Sequence, residues 1–322
     1  MGMRIIMTTA MIITATLMGD KKKNLPLVKG RKDRKRSRPS WPGETRLRAK
    51  TRPSTSSVAR KKDVDGTEVG LVRLPHEKCA SRVDPTCELK AGHDETTSGA
   101  ALYRLMTWLS PSYPVGAFSY SSGIEWAVEA GDITDADSLR RWLTIMTEDG
   151  GGFCDCVFFR HAHQAVVESQ NARLREVAEL SAAFAPSKER HLETTAQGRA
   201  FIEATRAVWP CEAMDRLAAV WDGPVTYPVA VGVAASGHGI AIEPALQAYL
   251  HAMVANWISA GVRLIPLGQT DGQRVLAALE PVVAKTIARA LRTPLDQVGS
   301  SALRSDLASM RHETQYTRLF RS

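Results

Sequence analysis

The spacing of apolar residues after Gly99 constrains the fold more than any other feature of the sequence. From there to the end of the chain, apolar residues recur at intervals of three and four, and Pro or Gly interrupts the runs. No run alternates apolar and polar residues as a half-buried strand does. The sequence therefore predicts an all-α fold in which roughly ten helices pack around one core.

Helix limits can be predicted from the same pattern. The first helix should bury a stripe of Leu102, Leu105, Met106 and Leu109. Thr134 and Asp137 are spaced as a capping box, which would open a helix that ends at the glycines 150–152. That helix should bury Leu139, Trp142, Leu143 and Met146. Further helices are expected at about 153–169, 172–185, 188–208, 211–221, 229–237, 244–264, 272–291 and 301–312.

Charge divides the chain into two parts. The whole chain carries +8, but residues 1–98 hold 22 basic and 11 acidic side chains, whereas residues 99–322 hold 20 and 23. Residues 20–62 alone contain 17 Lys and Arg against 3 acids and lack apolar periodicity. Such a segment cannot bury enough surface to offset its ordering entropy. We expect a basic, low-complexity, disordered extension at 1–98, or a misassigned start, followed by one helical domain at 99–322.

The sequence disfavours a membrane protein and a nucleic-acid-binding protein. The apolar stretch 5–18 is shorter than a bilayer span and lacks a cleavage site for secretion. Residues 223–262 carry a single charge, Glu243, but their prolines and polar groups favour a buried core helix over a membrane span. The basic run 29–36 has almost no aromatic neighbours, so a solvated tail is favoured over a specific nucleic-acid arm. Five cysteines, odd in number and sparse, fit a reducing cytoplasm.

One cluster has the residue types of a metal site. Cys154, Cys156, His161 and His163 lie within ten residues and would suit zinc or nickel, so a helical metalloenzyme is an alternative hypothesis. On one helix, however, residues two apart point in nearly opposite directions, so four ligands cannot converge without unwinding. The sequence contains neither a nucleotide phosphate-binding loop nor a Gly-x-Ser-x-Gly elbow. This chain is therefore not expected to hydrolyse nucleotides itself.

Three motifs, in this order, resemble the urease accessory protein UreF family. They are LMTWLSPSYPVGAFSYSSGIE at 105–125, LIPLGQTDGQ at 264–273 and SMRHETQYTRLFRS at 309–322. The resemblance extends over residues 99–322 and implies a non-enzymatic, all-helical adaptor with no cofactor of its own. It also implies a homodimer that binds UreD (UreH in some organisms) and recruits the GTPase UreG. In that assembly the complex handles nickel and GTP and inserts nickel into the UreC-containing urease apoprotein.

The resemblance also implies which residues contact partners. It assigns this role to Phe118, Tyr120, Glu125, Gln269, Asp271, Gln273, His312, Glu313, Tyr316, Arg318, Leu319 and Phe320. In the family a flexible C-terminal tail, here about 313–322, becomes ordered against UreD, and Arg318 matches the arginine expected there. A tail with few internal partners would gain most of its buried area on binding. Phe118 matches a position that is often Tyr, so it cannot make a hydroxyl hydrogen bond there.

Overall fold

The structure is a computed structural model that describes residues 98–322. The predictions for the basic extension and its apolar leader lie outside the described residues. The described part is helical and contains no strand, which confirms the all-α prediction. Its helices are α1 (Gly99–Trp108), α2 (Ile124–Glu129), α3 (Ala136–Glu148), α4 (Gly151–Val167), α5 (Asn171–Ala183), α6 (Lys188–Val208), α7 (Glu212–Val220), α8 (Tyr227–Gly237), α9 (Ile242–Leu264), α10 (Gln269–Ala290) and α11 (Leu303–His312).

Two helices, α4 and α8, form the centre of the core. Helix α8 is buried from Pro228 to Ala235, as its lack of charge and small apolar residues predict. It packs against α4, α6 and α7, while α3, α5, α9 and α10 pack on the other sides of α4. The two central helices approach closely at Gly232, where a Cβ atom would lie 2.7 Å from the carbonyl oxygen of Phe159.

This close approach gives a stability prediction. Replacing Gly232 by alanine should lower the free energy of unfolding by about 2 kcal/mol, because the methyl group forces the α4 and α8 backbones apart and this outweighs the better helix propensity of alanine. The control is Gly299→Ala, where an added Cβ meets no atom within 4 Å. That variant should stay within about 0.5 kcal/mol of the wild type. Urea unfolding followed by circular dichroism measures both, and equal midpoints would contradict the close packing.

Helix α1 buries a different face from the predicted one. Leu105 is buried as expected, but Leu102 and Met106 are 51% and 68% exposed. The buried face instead consists of Ala101, Leu105 and Trp108. Both sets have helical spacing, and the large Trp108 side chain determines which of them faces the core.

Several helix starts differ from the prediction by up to three residues, and two of these differences have a clear structural reason. The N-cap of α3 is Asp135, not Thr134: its carboxylate accepts from the Ser138 amide at 2.8 Å, and the Ser138 hydroxyl accepts from the Asp135 amide at 3.0 Å. Helix α4 begins at Gly151, because Gly152 lets it pack against the end of α3, where a Cβ would lie 2.9 Å from the Cα of Thr147. The predicted buried face of α3 is confirmed.

The short helix α2 was not predicted. It follows two residues with positive φ, Ser122 at 56° and Gly123 at 84°. At Gly123 a Cβ would lie 2.7 Å from the Ser309 amide nitrogen, so α2 can contact α11 only with glycine there.

None of the helices in residues 98–322 combines the length and apolarity needed to cross a bilayer. This includes α9, for which a membrane span was the less favoured prediction.

Candidate functional site

The C-terminal segment after α11 folds back onto the loop before α2. The main chain of Arg321 donates to the Ser119 carbonyl at 2.8 Å, and the Ser121 amide donates to the Ser322 carbonyl at 2.8 Å. Phe320 is 4% exposed and Ser322 is fully buried. The expectation that this tail has few internal partners is therefore wrong for residues 319–322. We call this arrangement the docked tail.

Glu125 is the main acceptor for the docked tail. Its Oε1 accepts from the Leu319 amide at 2.6 Å, and its Oε2 accepts from the Phe320 amide at 2.9 Å. The carboxylate is 6% exposed. A buried carboxylate that accepts two main-chain amides fixes the path of the tail, because these donors would otherwise lack partners away from water.

His312 joins Glu125 to helix α6. Its Nε2 lies 3.0 Å from Oε2 of Glu125 and its Nδ1 lies 2.6 Å from Oε2 of Glu189. The imidazole is fully buried, and a protonated imidazole can donate to both carboxylates at once. Arg318 of the tail donates to the other oxygen of Glu189 at 2.6 Å. Two buried carboxylates, the buried His312 and the partly exposed Arg318 therefore form one connected chain of polar contacts between α2, the tail and α6.

A second network reaches the end of the tail from α6. Arg190 pairs with Glu193 at 2.5 Å and donates to the Ser122 hydroxyl at 2.8 Å, while the Ser322 hydroxyl donates to Glu193 at 2.6 Å. The indole of Trp257 also donates to Ser122, at 2.9 Å. Ser122, with its positive φ, is thus a junction between α6, α9 and the start of α2.

Arg263, which the sequence reasoning missed, lies between two aromatic rings. Its Cζ is 3.7 Å from the ring centroid of Phe118 and 4.3 Å from that of Phe320. These cation–π contacts join the loop before α2 to the docked tail. Phe118 is nevertheless 62% exposed, so its ring covers the arginine and faces outward. No sequence signal distinguishes Arg263 from other arginines near helix ends.

The structure brings together most of the predicted partner-binding residues. Those at or beside the docked tail are Phe118, Tyr120, Glu125, His312, Glu313, Tyr316, Arg318, Leu319 and Phe320. Tyr316 and Leu319 are exposed, whereas Tyr120, Glu125, His312 and Phe320 are buried. The exposed members form an apolar and cationic surface, and the buried members hold it in place.

The residues of the middle motif have other contacts. Asp271 accepts from the Gly268 amide at 3.2 Å and from Arg274 at 2.7 Å, so it caps the start of α10. Gln269 and Gln273 lie on the same first turns and share no hydrogen bond with the docked tail within residues 98–322. Asp271 is thus a capping residue of α10, and a partner-binding role for these three residues stays a prediction.

The four candidate metal ligands do not converge. His161 Nε2 lies 3.0 Å from the Thr293 carbonyl and His163 Nε2 lies 2.8 Å from the Ile240 carbonyl. Burial raises the pKa of Cys154 to about 12 and that of Cys156 well above its usual range, so both are neutral thiols. Within residues 98–322 no three His, Cys, Asp or Glu side chains are grouped as a metal site.

A cavity of about 230 Å³ lies beside these networks, between α4, α6, α9 and the loop after α1. Asp155 lines it and accepts from the Tyr249 hydroxyl at 3.0 Å. Burial raises the pKa of Asp155 to about 6, against the opposing effects of the Arg190 charge and the Tyr249 hydrogen bond. A buried carboxyl of this kind destabilises the fold when it ionises.

This chain is similar to known proteins. The UreF family model matches residues 133–280. A urease accessory protein UreF from Bradyrhizobium sp. (strain ORS 278) is 64% identical over 223 residues, which are 69% of this chain and 92% of that protein. A urease accessory protein UreF from Rhodopseudomonas palustris (strain HaA2) is 60% identical over 235 residues, which are 73% of this chain and 99% of that protein.

Proposed function

Because this chain belongs to the UreF family of urease accessory proteins, we propose that it acts as a non-enzymatic adaptor in the maturation of urease. The proposed partners are UreD (UreH) and the GTPase UreG, and the cargo delivered to the UreC-containing apoprotein is nickel. The adaptor would act as a homodimer in the cytoplasm and carry no cofactor of its own. Nucleotide hydrolysis would belong to UreG, in keeping with the lack of a phosphate-binding loop in this sequence.

One observation carries the proposal. Two family motifs that are about 200 residues apart in sequence, 105–125 and 309–322, meet at the docked tail, and each leaves apolar side chains exposed: Phe118 from the first, Tyr316 and Leu319 from the second. Exposed aromatic and aliphatic side chains beside an arginine are the residue types that bind partner proteins. The surface rests on hydrogen bonds to the buried carboxylates of Glu125 and Glu189, so it is held in one geometry before a partner arrives, which lowers the entropy lost on binding.

The metalloenzyme alternative gains no support from the described residues. Its four ligands point to different carbonyl oxygens or lie in the core as neutral thiols.

The test compares urease from three kinds of strain. One lacks the gene for this chain, one carries the wild-type chain, and the others carry a chain with a single arginine substitution. Without the chain, we expect abundant urease polypeptide with little nickel and little activity. Arg318→Ala should reproduce much of this defect, because Arg318 is the tail arginine that reaches both the surface and Glu189. Arg321→Ala is the matched control, since Arg321 is exposed and its side chain has no hydrogen bond within residues 98–322.

Nickel is measured on purified urease by atomic emission, and urease abundance by immunoblot. Fully active urease in the deletion strain would refute the adaptor function. Wild-type nickel loading with Arg318→Ala would refute only the role of that residue.

A further inference from the structure

We propose that a cleft between α4, α5 and the turn after α10 binds a small oxyanion, phosphate or a carboxylate. Arg160 and His161 line it from α4, Arg173 from α5, and Arg292 from the turn that follows α10. The cleft shares none of its lining residues with the docked tail. The proposal is therefore independent of the adaptor function.

Two guanidinium groups are held against one imidazole in this cleft. Nη2 of Arg173 donates to Nδ1 of His161 at 2.9 Å, and Nη1 of Arg160 lies 3.1 Å from Nε2 of the same ring. The ring is fixed because its Nε2 also lies 3.0 Å from the carbonyl oxygen of Thr293. The arginines come from different helices, so the packing of α4 on α5 brings their positive charges together.

The imidazole does not offset these charges. Burial, together with the charges of Arg160 and Arg173 and against the hydrogen bond to Thr293, lowers the pKa of His161 to about 4. His161 is thus neutral at physiological pH. Burial lowers the pKa of Arg160 as well, and the charge of Arg173 adds to this effect. An anion between the two arginines would relieve their repulsion.

Unused donors remain in the cleft. Within residues 98–322, Arg160, Arg173 and Arg292 have no carboxylate within the 4.0 Å of an ion pair. Nε of Arg173 is buried and has no hydrogen-bond partner there. Each guanidinium presents five donors in a planar fork that matches two oxygens of a carboxylate or phosphate.

The acidic residues nearby limit the size of the ligand. Glu176 and Asp296 line the same cleft, and Glu168 acts on Arg160 from a distance. With His161 neutral, the three arginines and the two lining carboxylates leave only a small positive excess. An extended polyanion such as nucleic acid would be repelled by the lining acids, whereas a single oxyanion can contact the guanidinium groups alone.

His161 provides a direct reporter. In the full chain labelled with ¹⁵N-histidine, its imidazole resonances are assigned by their loss in His161→Gln. Inorganic phosphate and acetate are then titrated separately, with sodium chloride holding the ionic strength constant. We expect a saturable shift of the His161 resonances with half-saturation on the order of 1–10 mM, and an increase in the pKa of His161 at saturation. The two titrations distinguish a phosphate site from a carboxylate site.

Arginine variants distinguish anion binding in this cleft from a general effect of salt on the protein. Arg160→Gln and Arg173→Gln should each weaken binding by about tenfold in isothermal titration calorimetry, which does not depend on the imidazole signal. Arg199→Gln is the control, because Arg199 is 78% exposed on α6 and does not line the cleft. The proposal would be overturned if chloride shifted the His161 resonances as much as phosphate and acetate do. It would also be overturned if all three variants bound the anions with equal affinity.

Discussion

Replacing Glu125 by alanine is expected to release residues 318–322 from the domain and to lower the free energy of unfolding by about 3 kcal/mol. The carboxylate accepts from the amides of Leu319 and Phe320 and lies 3.0 Å from His312. Without it, the two amides lose their acceptor, and they can regain hydrogen bonds only by moving into water. His312 keeps Glu189 as its single carboxylate partner.

Release of the tail has a second effect that a general loss of stability would not produce. Phe320 would withdraw from Arg263, so this arginine would keep only Phe118 as an aromatic partner. Amide hydrogen exchange of residues 318–322 should then become faster, while exchange in the central helices α4 and α8 follows the change in global stability.

The matched control is Glu129→Ala on the same helix. Glu129 is exposed and has no ion pair within residues 98–322, so its removal should change neither tail exchange nor, beyond about 0.5 kcal/mol, the stability. Chemical denaturation and hydrogen exchange with mass spectrometry measure both quantities. Unchanged exchange of the tail in Glu125→Ala would show that Glu125 does not hold it.

Most helices were predictable because the sequence patterns that indicate them lie within the helices themselves. The buried face of α3 follows from apolar residues spaced at three and four, and the burial of α8 follows from its lack of charge. Helix α2 was missed because it is only six residues long and depends on the positive φ of Gly123, which the contact with Ser309 requires. That contact joins residues far apart in sequence, so no local sequence pattern predicts it.

The candidate site was predictable only in part, for the same reason. The motifs identified Phe118, Glu125 and Arg318, yet the sequence gives no sign that Glu125 accepts the amides of the tail. The apolar and cationic composition of 313–322 suggested a tail that needs a partner. Buried acceptors on α2 and α6 supply internal partners instead. The expectation that the tail becomes ordered against UreD stays a prediction.

Asp155→Asn is expected to stabilise the protein in a pH-dependent manner. Burial raises the pKa of this carboxyl from 3.8 to about 6 in the folded chain, despite the charge of Arg190 and the hydrogen bond from Tyr249. Below the unfolded value, both states hold the proton and the carboxyl contributes no pH dependence. As pH rises from there towards 6, the unfolded state releases the proton more readily, so the wild-type stability falls. Above the folded pKa the loss is complete and constant.

Asparagine cannot ionise, and its side-chain oxygen can still accept from Tyr249. The stability of the variant therefore does not fall with pH through this residue. Each pKa unit corresponds to about 1.4 kcal/mol, so the advantage of Asp155→Asn should grow by about 2–3 kcal/mol between pH 4 and pH 7. The control is Asp137→Asn, whose carboxyl is 79% exposed on α3, so this substitution should change the stability by no more than about 0.5 kcal/mol. Urea unfolding at a series of pH values measures both. A constant difference for Asp155→Asn would mean that this carboxyl ionises as readily in the folded chain as in the unfolded one.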